Sequence, residues 1–76
     1  PVTDYLIVYY PSGKIQETDT YVKGKANGEI ITYYESGGVK MKAIFKDNQK
    51  HGPAIYYNEK GVITKQENFI KGELVK

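Results

Sequence analysis

Two acidic residues, Glu17 and Asp19, stand at positions i and i+2 of a segment rich in β-branched and aromatic residues. Alternate residues of a strand point to the same face, so this spacing places both carboxylates side by side. Such a pair can share a proton and act as general acid and base. The chain is repetitive, and the equivalent positions of its next repeat hold Met41 and Ala43, so the pair does not recur. We therefore interpret it as the charged, solvated end of an array, of the kind that capping repeats form.

Other residues that do chemistry are few. His51 is the only histidine and the chain has no cysteine, whereas a metal site or a nucleophile with its base needs a second such side chain. Gly37-Gly38 is the only double glycine, and a phosphate-binding loop needs a Gly-rich turn that leads into a helix. No helix is predicted after it. The sequence therefore predicts a non-enzymatic protein with no catalytic residue, metal or cofactor, in which His51 and both glycines lie in turns.

The size and charge of the chain further restrict the classes of function that it can have. The chain has 76 residues, eleven lysines, nine acids and no arginine, and its lysines are spread along the sequence. Nucleic-acid binding requires a concentrated basic patch, usually with arginine, so no nucleic-acid partner is predicted. A chain of this length buries only a modest core, and without disulfides its stability depends on repetition, packing or association.

The chain repeats itself at a constant interval, because position i resembles position i+24 along nearly its whole length. Four columns carry the period: Tyr9, Tyr33 and Tyr57; Gly13, Gly37 and Gly61; Ile15, Val39 and Ile63; Tyr21, Phe45 and Phe69. We therefore predict a single repeat domain, residues 1–76, with units at 4–27, 28–51 and 52–75.

Each unit alternates aromatic or β-branched residues with polar ones between clusters of Gly, Pro, Asn and Ser. This pattern predicts a strand, a tight turn, a second strand and a looser turn into the next unit. The fold class is therefore all-β, an antiparallel meander of three 24-residue hairpins forming an extended twisted sheet of six strands. The recurring glycine of the tight turn predicts positive φ at Gly37 and not at Gly38.

The tight turns also predict the two faces of the sheet. Pairing of Tyr9 with Ile15 and of Ile7 with Glu17 would give residues of equal parity one common face. The odd face then forms the core, with the tyrosines Tyr9, Tyr33 and Tyr57. The even face holds the candidate binding residues, Leu6, Val8, Tyr10, Tyr34 and Tyr56. Tyrosines often anchor interfaces, although packing within the sheet is an equally open interpretation for the three even-face tyrosines.

The N-terminal edge is the predicted contact site. Residues Tyr5 to Tyr10 carry no charge, and the first strand of an open sheet has backbone groups without partners. This strand is therefore predicted to pair with a protein partner, or with a second copy, by β-augmentation. The last predicted strand, Val62 to Ile70, is better protected because Lys65 and Glu67 interrupt it.

The repeat columns resemble the MORN repeats, most closely a bacterial variant found in proteins called YwqK-type antitoxins. The resemblance lies in Gly28, Tyr33-Tyr34, Gly37, Val39, Phe45 and Lys46-Asp47-Asn48. The chain departs from the pattern at Asn48, where the family has Gly, and at Ile30 and Ala54, where it often has Trp. The resemblance implies an extended sheet of hairpins used for protein contacts. It also implies contact with phospholipid or membrane structures in some eukaryotic members and neutralisation of a toxin in bacterial ones.

Three functions stay open. The first is a protein-binding module, whose sharpest form is the antitoxin or immunity partner of a toxin in the cytoplasm. The second is a structural or surface-exposed segment of a larger secreted or membrane-associated protein, favoured by the missing initiator Met and by the run 72–76, after which another unit can follow. The third is association with a membrane surface through lysines beside exposed aromatic residues.

Overall fold

The computed structural model describes residues 3–75, which form one antiparallel sheet in which each strand pairs with the next along the chain. The strands are β1 (Thr3–Tyr9), β2 (Ile15–Val22), β3 (Lys25–Tyr33), β4 (Val39–Lys46), β5 (Gln49–Tyr57), β6 (Ile63–Ile70) and β7 (Glu73–Val75). The predicted all-β meander is confirmed. The strand count differs from the prediction, because the residues after the last turn add β7 as a short seventh strand. Over residues 3–75 no helix has the length and apolar character needed to cross a membrane.

The prediction for the two kinds of turn is wrong, because the turns between units are the tight ones and the turns within units are the looser ones. Between units only two residues separate paired strand ends, as in Lys46 and Gln49, which flank Asp47 and Asn48. Both turn residues have positive φ, which a type I′ hairpin requires. Within units the turn is longer. The segments predicted as inter-unit turns therefore belong largely to strands, and His51 lies in β5.

A β-bulge in each hairpin makes the predicted face assignment wrong. Ile7 pairs with Thr18 and not with Glu17, because the register shifts by one residue between Val8 and Tyr9. The other two hairpins shift at the same repeat position. A slip of one residue moves the following side chains to the opposite face. On the strand residues past each bulge, even-numbered residues of β1, β3 and β5 therefore share a face with odd-numbered residues of β2, β4 and β6. We call this face the inner face.

Most of the buried residues lie at the centre of the inner face, and all of them are small, including Ala26 at the start of β3. Ala43 and Ala54 are cross-strand partners and are each 1 % exposed. In the described residues, extensive contacts join only strands that are neighbours in the sheet, so the sheet is a single layer. Its Cα atoms nevertheless span 15 Å in the thinnest direction, as expected of a twisted, curled sheet. The predicted tyrosine core is wrong at Tyr9, which is 55 % exposed, because no second layer formed by residues 3–75 covers the sheet.

The two glycines of the middle hairpin provide a matched stability test. Gly37 has φ +107°, whereas Gly38 has no positive φ, so the prediction for this turn is confirmed. A Cβ added at either position meets no described atom within 4 Å, which leaves backbone strain as the difference. Gly37→Ala should cost about 1–2 kcal/mol of unfolding free energy, while Gly38→Ala should change it by less than about 0.5 kcal/mol. Urea denaturation of both variants measures this, and equal losses would contradict the role of φ.

Candidate functional site

The strand β1 is the exposed N-terminal edge of the sheet. It pairs with β2 alone, and all residues from Thr3 to Tyr9 are exposed. Its five consecutive apolar or aromatic side chains range from 37 % exposed at Val8 to 75 % at Tyr5. In an antiparallel pair half of the backbone N–H and C=O groups point away from the partner, and no strand of residues 3–75 covers these groups on β1. The chain therefore places an open strand, uncharged from Tyr5 to Tyr9, where the sequence predicts one.

The inner face of β1 adjoins the acidic pair of β2. The register places Leu6 opposite Asp19 and Val8 opposite Glu17. On β3, the cross-strand neighbours of the two acids are also uncharged: Ile30 and Thr32. Neither of the strands that flank β2 thus places a basic side chain directly opposite either carboxylate.

Asp19 is buried, which overturns its interpretation as a solvated end. It is 4 % exposed, and its Oδ1 atom has no hydrogen-bond partner among residues 3–75. The physical reason is position, because Asp19 is the repeat equivalent of Ala43 and so lies at the centre of the inner face. A buried carboxylate oxygen without a partner destabilises a fold and calls for a functional or structural explanation.

Glu17 is linked electrostatically to Asp19. The pKa of Glu17 is raised, first because its protonated carboxyl donates a hydrogen bond to Asp19. Partial burial and the negative charge of Asp19 raise this pKa further. Glu17 therefore holds its proton more tightly than an isolated glutamate side chain does.

The acidic character extends along the N-terminal hairpin. Residues 3–22 contain Asp4, Glu17 and Asp19 against one lysine, Lys14, which lies in the turn. Asp4 is the cross-strand partner of Tyr21 and so belongs to the inner face as well. Residues 23–76 contain ten lysines against six acids. The chain therefore combines an acidic N-terminal edge with a basic remainder.

Tyr10 and Tyr34 connect neighbouring units. The Tyr10 hydroxyl donates a hydrogen bond of 2.6 Å to the carbonyl oxygen of Tyr33, and the Tyr34 hydroxyl donates one of 2.8 Å to that of Tyr57. The ammonium of Lys40 lies 5.7 Å from the centroid of the Tyr34 ring. Both hydroxyls thus stabilise the array, and a binding role for these two rings stays a prediction.

Tyr56 lies on the inner face of β5, four strands from β1. The ammonium of Lys65 lies 4.4 Å from the centroid of its ring and 3.9 Å from a carboxylate oxygen of Glu67. Among the predicted binding residues, the structure therefore brings Leu6 and Val8 together on one edge. It does not bring Tyr56 to that edge.

The opposite ends of the hairpins are also joined from unit to unit. Asn48 Oδ1 accepts a 2.7 Å hydrogen bond from the backbone N–H of Ala26, and the Asn48 N–H donates one of 3.0 Å to the Ala26 carbonyl. The departure from Gly at this position therefore adds a side-chain hydrogen bond between this turn and the start of β3.

His51 occupies the same structural position as Asn27, one unit further along the chain. Its Nδ1 accepts a hydrogen bond of 3.5 Å from the backbone N–H of Lys71. Asn27 Oδ1 accepts the equivalent hydrogen bond, of 3.2 Å, from the backbone N–H of Asp47. It lines a half-open cleft of about 280 Å³ whose walls are Lys46, Asp47, Gln49 and Lys71. No group of three or more His, Cys, Asp or Glu side chains suited to a metal ion occurs in the part of the chain that the structure describes.

Sequence reasoning missed Asp19 as a buried residue. The available signal was its repeat column, Asp19, Ala43 and Glu67, in which the middle member is a small apolar residue. Alanine at the centre of a strand pattern of large side chains indicates a confined position. An acid in the same column is therefore confined as well.

A comparison with protein families identifies the repeat. The model described as MORN repeat variant matches residues 6–23, 26–47 and 50–71, one match on each of the hairpins β1–β2, β3–β4 and β5–β6. No curated protein and no solved structure matches the chain. MORN repeats generally form non-catalytic modules. Since the three matches cover most of the sequence, the chain belongs to the MORN repeat variant family.

Proposed function

We propose that this chain is a non-enzymatic protein-binding module that holds an extended segment of its partner along β1. The observation that supports this is the open edge of β1, which is uncharged from Tyr5 to Tyr9 and exposed on both faces. A partner strand satisfies the free backbone groups of such an edge and covers its apolar side chains. Neither effect requires catalysis, a metal or a cofactor.

The sharpest form of this function is neutralisation of a toxin, with the chain as antitoxin or immunity partner. The resemblance of the repeat to the bacterial antitoxin variant supports this form. A module that captures one strand of a toxin can block its active conformation without any chemical step. This form places the chain in the cytoplasm.

A second candidate is a structural segment of a larger secreted or membrane-associated protein. It is supported by the geometry of the sheet, because the edge strands β1 and β7 can each pair with a further hairpin. Direct binding to a membrane surface through β1 is less well supported, because Asp4, Glu17 and Asp19 repel anionic lipid headgroups.

A pair of edge variants tests the proposed function. Ile7→Lys introduces a charge in the middle of β1 on the face opposite the inner face, away from Glu17 and Asp19. Val62→Lys makes the same change at an exposed apolar residue just before β6, and it is the matched control. Affinity capture from cells with the wild type and both variants, followed by mass spectrometry, identifies the partner. Hydrogen exchange of the complex then locates the contact.

We expect Ile7→Lys to weaken partner binding by about tenfold or more, because a lysine on an edge strand opposes strand addition. Val62→Lys should bind as the wild type does, and β1 amides should be protected in the complex. Light scattering at several concentrations shows whether the partner is a second copy. A partner that binds Ile7→Lys with full affinity, and leaves β1 amides unprotected, would contradict the proposed function.

A further inference from the structure

The acidic residues beside β1 determine which partner strand fits it. We infer that the strand bound along β1 carries a lysine or arginine on the inner face, and that its cationic group enters the site formed by Glu17 and Asp19. Because a strand must first pair with β1, this partner chemistry rests on the proposed function.

The sheet itself shows the register of an added strand. In β5, which lies at the repeat position of β1, Ala54 pairs with Ala43 of β4. The repeat equivalent of Ala54 in the first unit is Leu6. A strand added outside β1 in the register of the array therefore places one residue opposite Leu6, and cross-strand partners share a face. That residue of the partner lies on the inner face.

A long cationic side chain can reach the acids from this place. Neighbouring strands are about 4.8 Å apart, so the added strand lies about 10 Å from β2 with β1 between them. The aliphatic stem of lysine or arginine can lie over Leu6 while its charged group approaches Asp19, the cross-strand partner of Leu6 on β2. A short polar side chain cannot cross the intervening strand.

The two strands that form the site carry no cationic side chain. Asp19 Oδ1 is buried and accepts no hydrogen bond from the described part of the chain, and the raised pKa of Glu17 is caused chiefly by Asp19. Neither β1 nor β2 contains a lysine, although the chain has eleven. A buried charge of this kind is stabilised when an opposite charge pairs with it, so the partner strand completes the site.

A second copy of this chain supplies the charge poorly. Its β1 contains Asp4 and no basic residue, so two β1 strands would bring acids together. In a head-to-tail arrangement, β6 of one copy would pair with β1 of the next copy, as β4 pairs with β5 within the chain. Glu67, the repeat equivalent of Ala43 in the third unit, would then lie opposite Leu6, where a cation is needed. Lys65 would lie opposite Val8, but its ammonium already pairs with Glu67 at 3.9 Å. The charges therefore favour a different protein with a basic strand.

Two synthetic peptides test the inference. The first is acetyl-Thr-Val-Thr-Lys-Thr-Val-Thr-amide, and the second has norleucine in place of lysine, which keeps the stem and removes the charge. Each is titrated into the wild type and into Asp19→Ala, with dissociation constants taken from backbone amide shifts of β1. The lysine peptide should bind the wild type about tenfold tighter than the norleucine peptide, and this preference should vanish in Asp19→Ala.

The outcomes distinguish failure of the basic-strand inference from failure of the proposed strand addition at β1. Equal affinities of the peptides for the wild type, with β1 amides shifting in both cases, would overturn the basic-strand inference and leave β-augmentation intact. If neither peptide shifts the β1 amides, the proposed function fails and the inference with it. A lysine preference that persists in Asp19→Ala overturns the assignment of the site. Shifts at Glu17 and Asp19 on addition of calcium chloride alone would reassign it to a metal ion.

Discussion

The Asp19→Ala variant is expected to be more stable than the wild-type chain, by about 1–3 kcal/mol at neutral pH. The carboxylate is buried and its Oδ1 has no hydrogen-bond partner within residues 3–75, so removing it relieves an uncompensated desolvation cost. The repeat shows that alanine fits, because Ala43 occupies the equivalent position and is buried. Glu17 loses a hydrogen-bond partner, but it is less buried than Asp19 and can turn to solvent.

Two further substitutions control this result, with urea denaturation as the measurement. Asp19→Asn removes the charge and keeps the shape, so it should give part of the gain. Ala43→Asp creates an unpaired acid at the equivalent place in the middle unit and should cost about 1–3 kcal/mol. A loss of stability in Asp19→Ala would show that the carboxylate has a stabilising partner within the folded chain.

The stability difference should also depend on pH in a definite direction. The pKa of Glu17 is raised in the fold above the ordinary value of 4.5, so the folded chain holds this proton more tightly than the unfolded chain does. The wild type should therefore gain stability as the pH falls from neutral through the raised pKa, and the gain is complete below 4.5. Asp19→Ala removes the main cause of the shift. Its advantage over the wild type should shrink on acidification, and an advantage that grows would contradict the coupling.

The fold was predictable because the repeat columns recur without a shift, but the pairing inside a unit was not. Every unit contains its bulge at the same place, so an alignment of the chain with itself keeps Tyr9 over Tyr33 whichever way each hairpin pairs. Self-similarity reveals what recurs and gives no information about register within the unit. The predicted faces were consequently wrong for the strand that follows each bulge.

The location of the core was missed for a different reason. Residue type predicts that tyrosines are buried, yet the described part of the chain is a single-layer sheet with no second layer to cover Tyr9, which lies on the edge strand. Only side chains short enough to lie beneath their neighbours are buried in such a sheet, as Ala43 and Ala54 are. Asp19 is buried for the same reason, because it is short and occupies the repeat position of Ala43. Its burial therefore follows from the geometry of the sheet and not from the chemistry of the residue.

The Tyr34→Ala variant should lose about 3 kcal/mol of stability, more than expected for a residue of a binding face. Its ring is partly buried near the turn, and its hydroxyl holds the second unit to the third through the Tyr57 carbonyl. Tyr34→Phe keeps the ring and removes the 2.8 Å hydrogen bond, so it should lose about 1 kcal/mol. The difference between the two variants separates ring packing from the link between units.

Tyr9→Ala is the matched control, since it truncates the same residue type at a position that is 55 % exposed. It should lose about 1–2 kcal/mol, less than Tyr34→Ala, because more than half of its surface stays in water on folding. Tyr10→Phe repeats the hydroxyl test at the preceding junction and should lose about as much as Tyr34→Phe. Denaturant midpoints of the four variants give the comparison. If Tyr9→Ala loses as much as Tyr34→Ala, the edge strand is covered in solution. If the two Tyr→Phe variants lose no stability, the hydroxyl links do not hold neighbouring hairpins together.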